Sequence, residues 1–123
     1  MTQDRENRHA VARMIERLGQ ESEKAIEAYL VSEVRRRGGL CLKYSNLAEA
    51  GYPDRLVILP MEGCTGPEIC FIELKRKGEK PRPLQVSRMN ALRALGVDAF
   101  VCDCKADVDA FLRVYDDYLE AQQ

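Results

Sequence analysis

Two stretches decide the fold: Gly51-Tyr52-Pro53-Asp54-Arg55-Leu56-Val57-Ile58-Leu59, and Ile69-Cys70-Phe71-Ile72-Glu73-Leu74-Lys75 after a break holding Pro60, Gly63, Gly66 and Pro67. Their branched and aromatic residues suit buried strands better than helices. The glycines and prolines between them mark a turn, so residues 55–75 read as a β-hairpin. Glu73 and Lys75 are two apart, so both side chains emerge on one face while Ile72 and Leu74 point to the other. Asp54 stands at the mouth of the first strand, behind a proline, where the hairpin brings it toward Glu73. Two carboxylates brought close repel, and burying them unpaired is costly. A divalent cation resolves the conflict, and oxygen ligands with no thiolate or imidazole nearby select a hard ion, Mg²⁺ or Mn²⁺. The alternative for Glu73 and Lys75 is an edge-strand ion pair facing solvent.

Working outward, residues 7–18 place Val11, Met14, Ile15 and Leu18 at helical spacing up to Gly19. A second helix starts near Ser22, carries Ile26, Leu30, Val31 and Val34, and stops at Gly38-Gly39. Leu40–Tyr44 reads as a strand. Beyond the hairpin comes a basic loop, residues 76–83, then a helix with Val86, Met89, Leu92 and Leu95 that Gly96 closes. Val97–Cys102 is a fourth strand. A last helix carries Val108, Phe111, Leu112, Tyr115 and Leu119 on one face. The order α-α-β-β-β-α-β-α predicts an α/β fold, a small mixed sheet of about four strands flanked by helices. The crossover helix makes the third and fourth strands parallel.

Composition narrows the chemistry. With 123 residues and 46% hydrophobic content, there is material for one core. The 19 basic and 20 acidic residues leave a net charge of -1, which excludes a disordered polyelectrolyte and a histone-like basic protein. The single histidine, His9, lies in a polar segment, so a Ser-His-Asp triad, a histidine zinc site and an HExxH protease have nothing to be built from. The five cysteines contain no CxxC pair. Cys41, Cys70, Cys102 and Cys104 read as small buried hydrophobes, and Cys64 as a free loop thiol. There is no apolar run long enough for a membrane span, and a polar N-terminus predicts a cytoplasmic protein.

Charge is distributed unevenly. Lys75 to Arg93 holds seven basic residues against Glu79 alone, whereas Asp103 to Gln123 holds six acidic and two basic ones. Lys43, Arg55, Arg76, Lys77, Lys80 and Arg82 are candidates for phosphate contacts, which set register without reading sequence. Arg35, Arg36 and Arg37 read more simply as a solvated helix end beside the C-terminal dipole. Gln85 lies four and seven positions before Met89 and Leu92, on the inward helix face, where its amide needs a partner. Either a role near a metal site or a bond to the backbone at the helix end supplies one.

Pro53-Asp54 with Glu73-Leu74-Lys75 has the form of the PD-(D/E)xK nuclease motif. Gly51–Val57, Phe71–Lys75 and Gln85 at the start of the next helix resemble the VRR-Nuc family, over about Glu23 to Cys102. The resemblance implies a restriction-endonuclease-like core in residues 21–123, with residues 1–20 as a helical extension. It implies a Mg²⁺- or Mn²⁺-dependent DNA endonuclease in which Asp54, Glu73 and the Leu74 carbonyl hold the metal, with Glu27 of the first core helix as a further metal-site carboxylate. Lys75 would orient or deprotonate the attacking water, and Gln85 would sit near the metal or its waters. The family also places a glutamate of the first core helix on the site wall. Glu27 is better aimed inward, with Glu23 one turn earlier as reserve. Stand-alone members are implied to act as homodimers on branched DNA such as four-way junctions, in a bacterial or phage-infected cell. The competing readings are a general DNA-nicking nuclease, a non-catalytic nucleic-acid-binding module on a nuclease fold, and a structural protein.

Overall fold

In the computed structural model, residues 2–19, 22–61 and 66–122 are described, and of residues 12–19 the backbone only. Four strands form one sheet in the order β1 (Leu40–Lys43), β2 (Arg55–Leu59), β3 (Glu68–Leu74), β4 (Asp98–Cys102). The first two pairings are antiparallel and β3–β4 is parallel. The helices are α1 (Thr2–Gly19), α2 (Glu23–Arg36), α3 (Pro83–Ala94) and α4 (Lys105–Ala121). Element order, hairpin and parallel crossover are those expected from the sequence.

Register sorts the sheet into two faces, because directly paired residues share a side and neighbours along a strand alternate. Arg55 pairs with Ile72, Val57 with Cys70, and Leu74 with Cys102. On this face Val57, Leu59, Cys70, Ile72 and Leu74 pack with Ile26, Leu30 and Val34 of α2 and Val108, Leu112 and Tyr115 of α4. The opposite face presents Leu56, Phe71, Glu73, Ala99 and Val101, and α3 covers part of it through Met89.

Local sequence explains the element ends. The Ser22 side chain accepts a hydrogen bond from the Ala25 N–H and caps α2. Gly39 lets β1 leave α2 directly, since a Cβ there would stand 2.5 Å from the Ile58 carbonyl oxygen. Pro83 begins α3, where its missing N–H costs nothing.

In its helices and cysteines the structure departs from the sequence reading at three places. Helix α1 begins at Thr2 rather than residue 7: Asp4 favours the first turn, and Gln3 Nε2 donates to Asn7 Oδ1 at 3.3 Å. Its stripe residues Met14, Ile15 and Leu18, like Cys64, lie outside the described side chains, and Val11 is half-exposed. In α3 the buried positions are Gln85 and Met89, while Val86 is 40% and Leu95 82% exposed, because the helix touches the sheet along one narrow stripe. Cys41, Cys70 and Cys102 are buried, but Cys104 is only half-buried at the N-cap of α4.

Candidate active site

Asp54 is fixed from both sides. Its carbonyl accepts from the Tyr44 N–H at 2.8 Å, which closes the 44–54 loop at its neck, and its Oδ2 accepts from the Leu74 N–H at 3.3 Å. The second bond joins the β2 entrance to β3 one residue past Glu73. The hairpin therefore brings the two carboxylates together, as the sequence predicts. β3 is an inner strand, and Glu73 and Lys75 are 2% and 8% exposed, so the pair is no edge decoration.

Glu73 Oε1 accepts from Gln85 Nε2 at 3.1 Å and lies 3.6 Å from Lys75 Nζ. Its Oε2 is buried with no hydrogen-bond partner. Lys75 is held in turn by its N–H donating to the Cys102 carbonyl at 2.9 Å, and its ammonium lies 3.9 Å from Glu79. Gln85 combines both of its sequence readings: its Oε1 accepts from the Arg82 N–H at 2.8 Å, capping α3, and its amide nitrogen serves Glu73. Burial, followed by the neighbouring Asp54 charge, pushes the Glu73 carboxyl up to about 7, against the opposing pull of Lys75. An orphaned, desolvated carboxylate oxygen beside a second carboxylate is a donor set that fits a hard divalent cation.

The remaining expected residues separate into two groups. Lys43, Arg76, Lys77, Lys80 and Arg82 are exposed. Arg55 differs, because the β2 pleat turns it to the α2 face. There its side chain is 12% exposed, lies 3.3 Å from Glu27 Oε1, and donates to the Cys41 carbonyl at 3.2 Å. Glu27 is thus engaged by Arg55, on a shallow groove shared with Val31 and Arg35, rather than beside Glu73. Glu23 is exposed. Arg37 is not a solvated helix end: its Nε and Nη2 grip both Asp116 oxygens at 2.8 and 2.7 Å, tying α2 to α4.

Sequence reasoning missed a second acidic group. Asp103, Cys104 and Asp107 hold ligand-type atoms within 4.8 Å of one another, the one such group of three among the described residues. Asp107 accepts from the Asp103 N–H within the group, and Asp103 accepts from the Gly78 N–H of the basic loop at 3.2 Å. The D-C-x-x-D spacing at a helix start was the available signal. An apolar groove of about 700 Å³, bounded by Phe100, Phe111, Tyr115 and Tyr118, lies on the α4 side. It contains neither Asp54 nor Glu73.

A mixed four-stranded sheet with one acidic residue at the entrance to β2, another in β3 and a lysine two residues on defines a restriction-endonuclease-like nuclease fold. A solved structure titled "VRR_NUC domain" superposes with a TM-score of 0.68 at 31% identity, covering 77% of this chain and 99% of that one. A protein named "Putative nuclease p44", from Acyrthosiphon pisum secondary endosymbiont phage 1, is 44% identical over 81 residues, 66% of this chain and 82% of that relative. No family model matches the sequence. The chain belongs to the VRR-Nuc family of nucleases.

Proposed function

We propose that this nuclease is a Mg²⁺- or Mn²⁺-dependent DNA endonuclease whose ion is held by Asp54, Glu73 and the main-chain carbonyl of Leu74. The observation that carries the reading is Glu73: buried at 2%, with one oxygen tied to Gln85 and the other left without a partner. The bound ion supplies Lewis acidity and a more acidic water, so no histidine is required. Lys75 would orient or deprotonate the attacking water and offset charge on the scissile phosphate. Gln85 fixes Glu73 through Oε1 and so presents Oε2. Glu27 holds Arg55, the residue after Asp54 and the first of β2, from the opposite face of the sheet and so supports the site from behind. Lys43, Arg76, Lys77, Lys80 and Arg82 contact the DNA backbone.

The finer reading is a homodimer acting on four-way junctions. Leu40, Leu42 and Ile69 are 55%, 43% and 45% exposed on the sheet face beside α3, an apolar surface suited to a second copy. A two-fold axis would match one site to each of two opposed strands. The free cysteines and the phage relative support work in the cytoplasm of a bacterial or phage-infected cell. The test is a plasmid-nicking assay with Mg²⁺, Mn²⁺ or EDTA. Nicking is expected with either ion and not with EDTA. Equal nicking in EDTA, or none with either metal, overturns the reading. Sedimentation at micromolar concentration is expected to give a dimer, and a monomer removes the junction-symmetry argument.

A further inference from the structure

The loop that ends at Asp54 carries the most exposed large apolar side chain described, Leu47, at 100%. A lone exposed leucine is ordinarily unremarkable; its setting is what gives this one meaning. The loop is pinned at several points. Asn46 Oδ1 accepts from the Ala48 and Glu49 N–H groups at 3.0 Å each, and the Ala50 carbonyl accepts from Arg88 Nε at 3.0 Å. The Arg88 guanidinium lies over the Tyr52 ring at 5.1 Å. Tyr44 packs edge-on against Tyr52 and Phe71. Gly51 is pressed on α3, where a Cβ would stand 2.7 Å from Leu84. Ser45, Ala48 and Ala50 around the tip are small, so Leu47 projects alone from a narrow, braced support.

Tyr44 and Asp54 close the loop neck at the catalytic carboxylates, and three residues from Tyr44 reach at most about 11 Å. That is about one groove width of duplex DNA, so a phosphate on Asp54 and Glu73 brings the neighbouring base steps within reach of Leu47. Resting on the reading of this site as a DNA nuclease, we propose that Leu47 is a wedge that inserts where base stacking is already interrupted, selecting branched DNA over continuous duplex. Burying one leucine recovers about 1.5–3 kcal/mol, which the few kcal/mol needed to separate one stack in an intact helix largely cancels, so insertion there brings little net gain. At a branch point that cost is already met, and burial of Leu47 is a gain. The selectivity follows from this difference and needs no contact with a particular base.

The experiment compares the full chain with Leu47→Ala and Leu47→Met on a four-way junction and on a linear duplex of equal length, each carrying 2-aminopurine, at the branch point or mid-duplex. Full exposure of Leu47 leaves folding untouched by either change. Leu47→Ala is expected to slow junction nicking about tenfold, leave linear nicking within about twofold, and abolish a rise in junction 2-aminopurine fluorescence on binding. Leu47→Met is expected to restore both. An unchanged junction-to-linear ratio in Leu47→Ala, or no fluorescence rise with the unmodified protein, overturns the wedge while leaving the nuclease reading intact. Failure of the unmodified protein to cut either substrate overturns the nuclease reading, and the binding-linked fluorescence still decides the wedge.

Discussion

The two faces of the sheet follow opposite rules. Against α2 and α4, Val57, Leu59, Cys70, Ile72, Leu74 and Cys102 meet Ile26, Leu30, Val34, Val108 and Leu112, all 0–1% exposed. Under α3 the same β3 strand buries Glu73 and Lys75 with Gln85. The apolar face contributes stability through packing, whereas the polar face gives up stability to hold a carboxylate with an orphaned oxygen. Strand alternation keeps the two apart, and a slip of one residue would exchange them.

Substitutions on the polar face are expected to remove activity and leave the fold intact. Asp54→Asn, Glu73→Gln and Lys75→Ala should each slow single-turnover nicking on the order of 10²–10⁴-fold, the range for a positioned proton-transfer group, with unchanged circular dichroism. Near-normal nicking in either carboxylate variant would break the comparison. On the apolar face, Leu112→Ala should cost about 2–5 kcal/mol in urea unfolding while the folded fraction keeps its nicking rate. Gln85→Ala should lower metal affinity or nicking roughly 10–100-fold, as for loss of a residue that orients a ligand; metal titration of the nicking rate checks this. Arg37→Ala, which releases a pair 16% and 44% exposed, should cost about 1 kcal/mol and leave nicking unchanged.

Much of this was legible before any coordinates. A period of two shows Glu73 and Lys75 on one side of a strand whose other side is apolar, and Pro53-Asp54 marks where the partner strand enters. Arg55 carried the same signal, since it lies two residues before Val57 and must share its core-facing side; basic character alone suggested a phosphate contact. The α3 stripe misled because Val86, Met89 and Leu92 satisfy helical spacing as well as Gln85, Met89 and Leu92 do. Only packing against the sheet decides between them. The first turn of α1 carries no apolar periodicity, and the Arg37–Asp116 pair joins residues too distant in sequence for any local pattern to reveal.

The most direct test of a buried carboxylate site built for a cation is the stability of the metal-free protein against pH, compared with Glu73→Gln. With the Glu73 carboxyl raised from 4.5 to about 7 by burial and Asp54, the folded state holds the proton more tightly than the unfolded chain. Its contribution is therefore fully present below pH 4.5 and lost as pH rises to about 7. In EDTA at pH 8, Glu73→Gln should be more stable than the unmodified protein by about 1–3 kcal/mol, and Mn²⁺ should raise the melting temperature of the unmodified protein only. A Glu73→Gln variant less stable in EDTA, or stabilised equally by Mn²⁺, would contradict the account and mark Glu73–Lys75 as a structural ion pair.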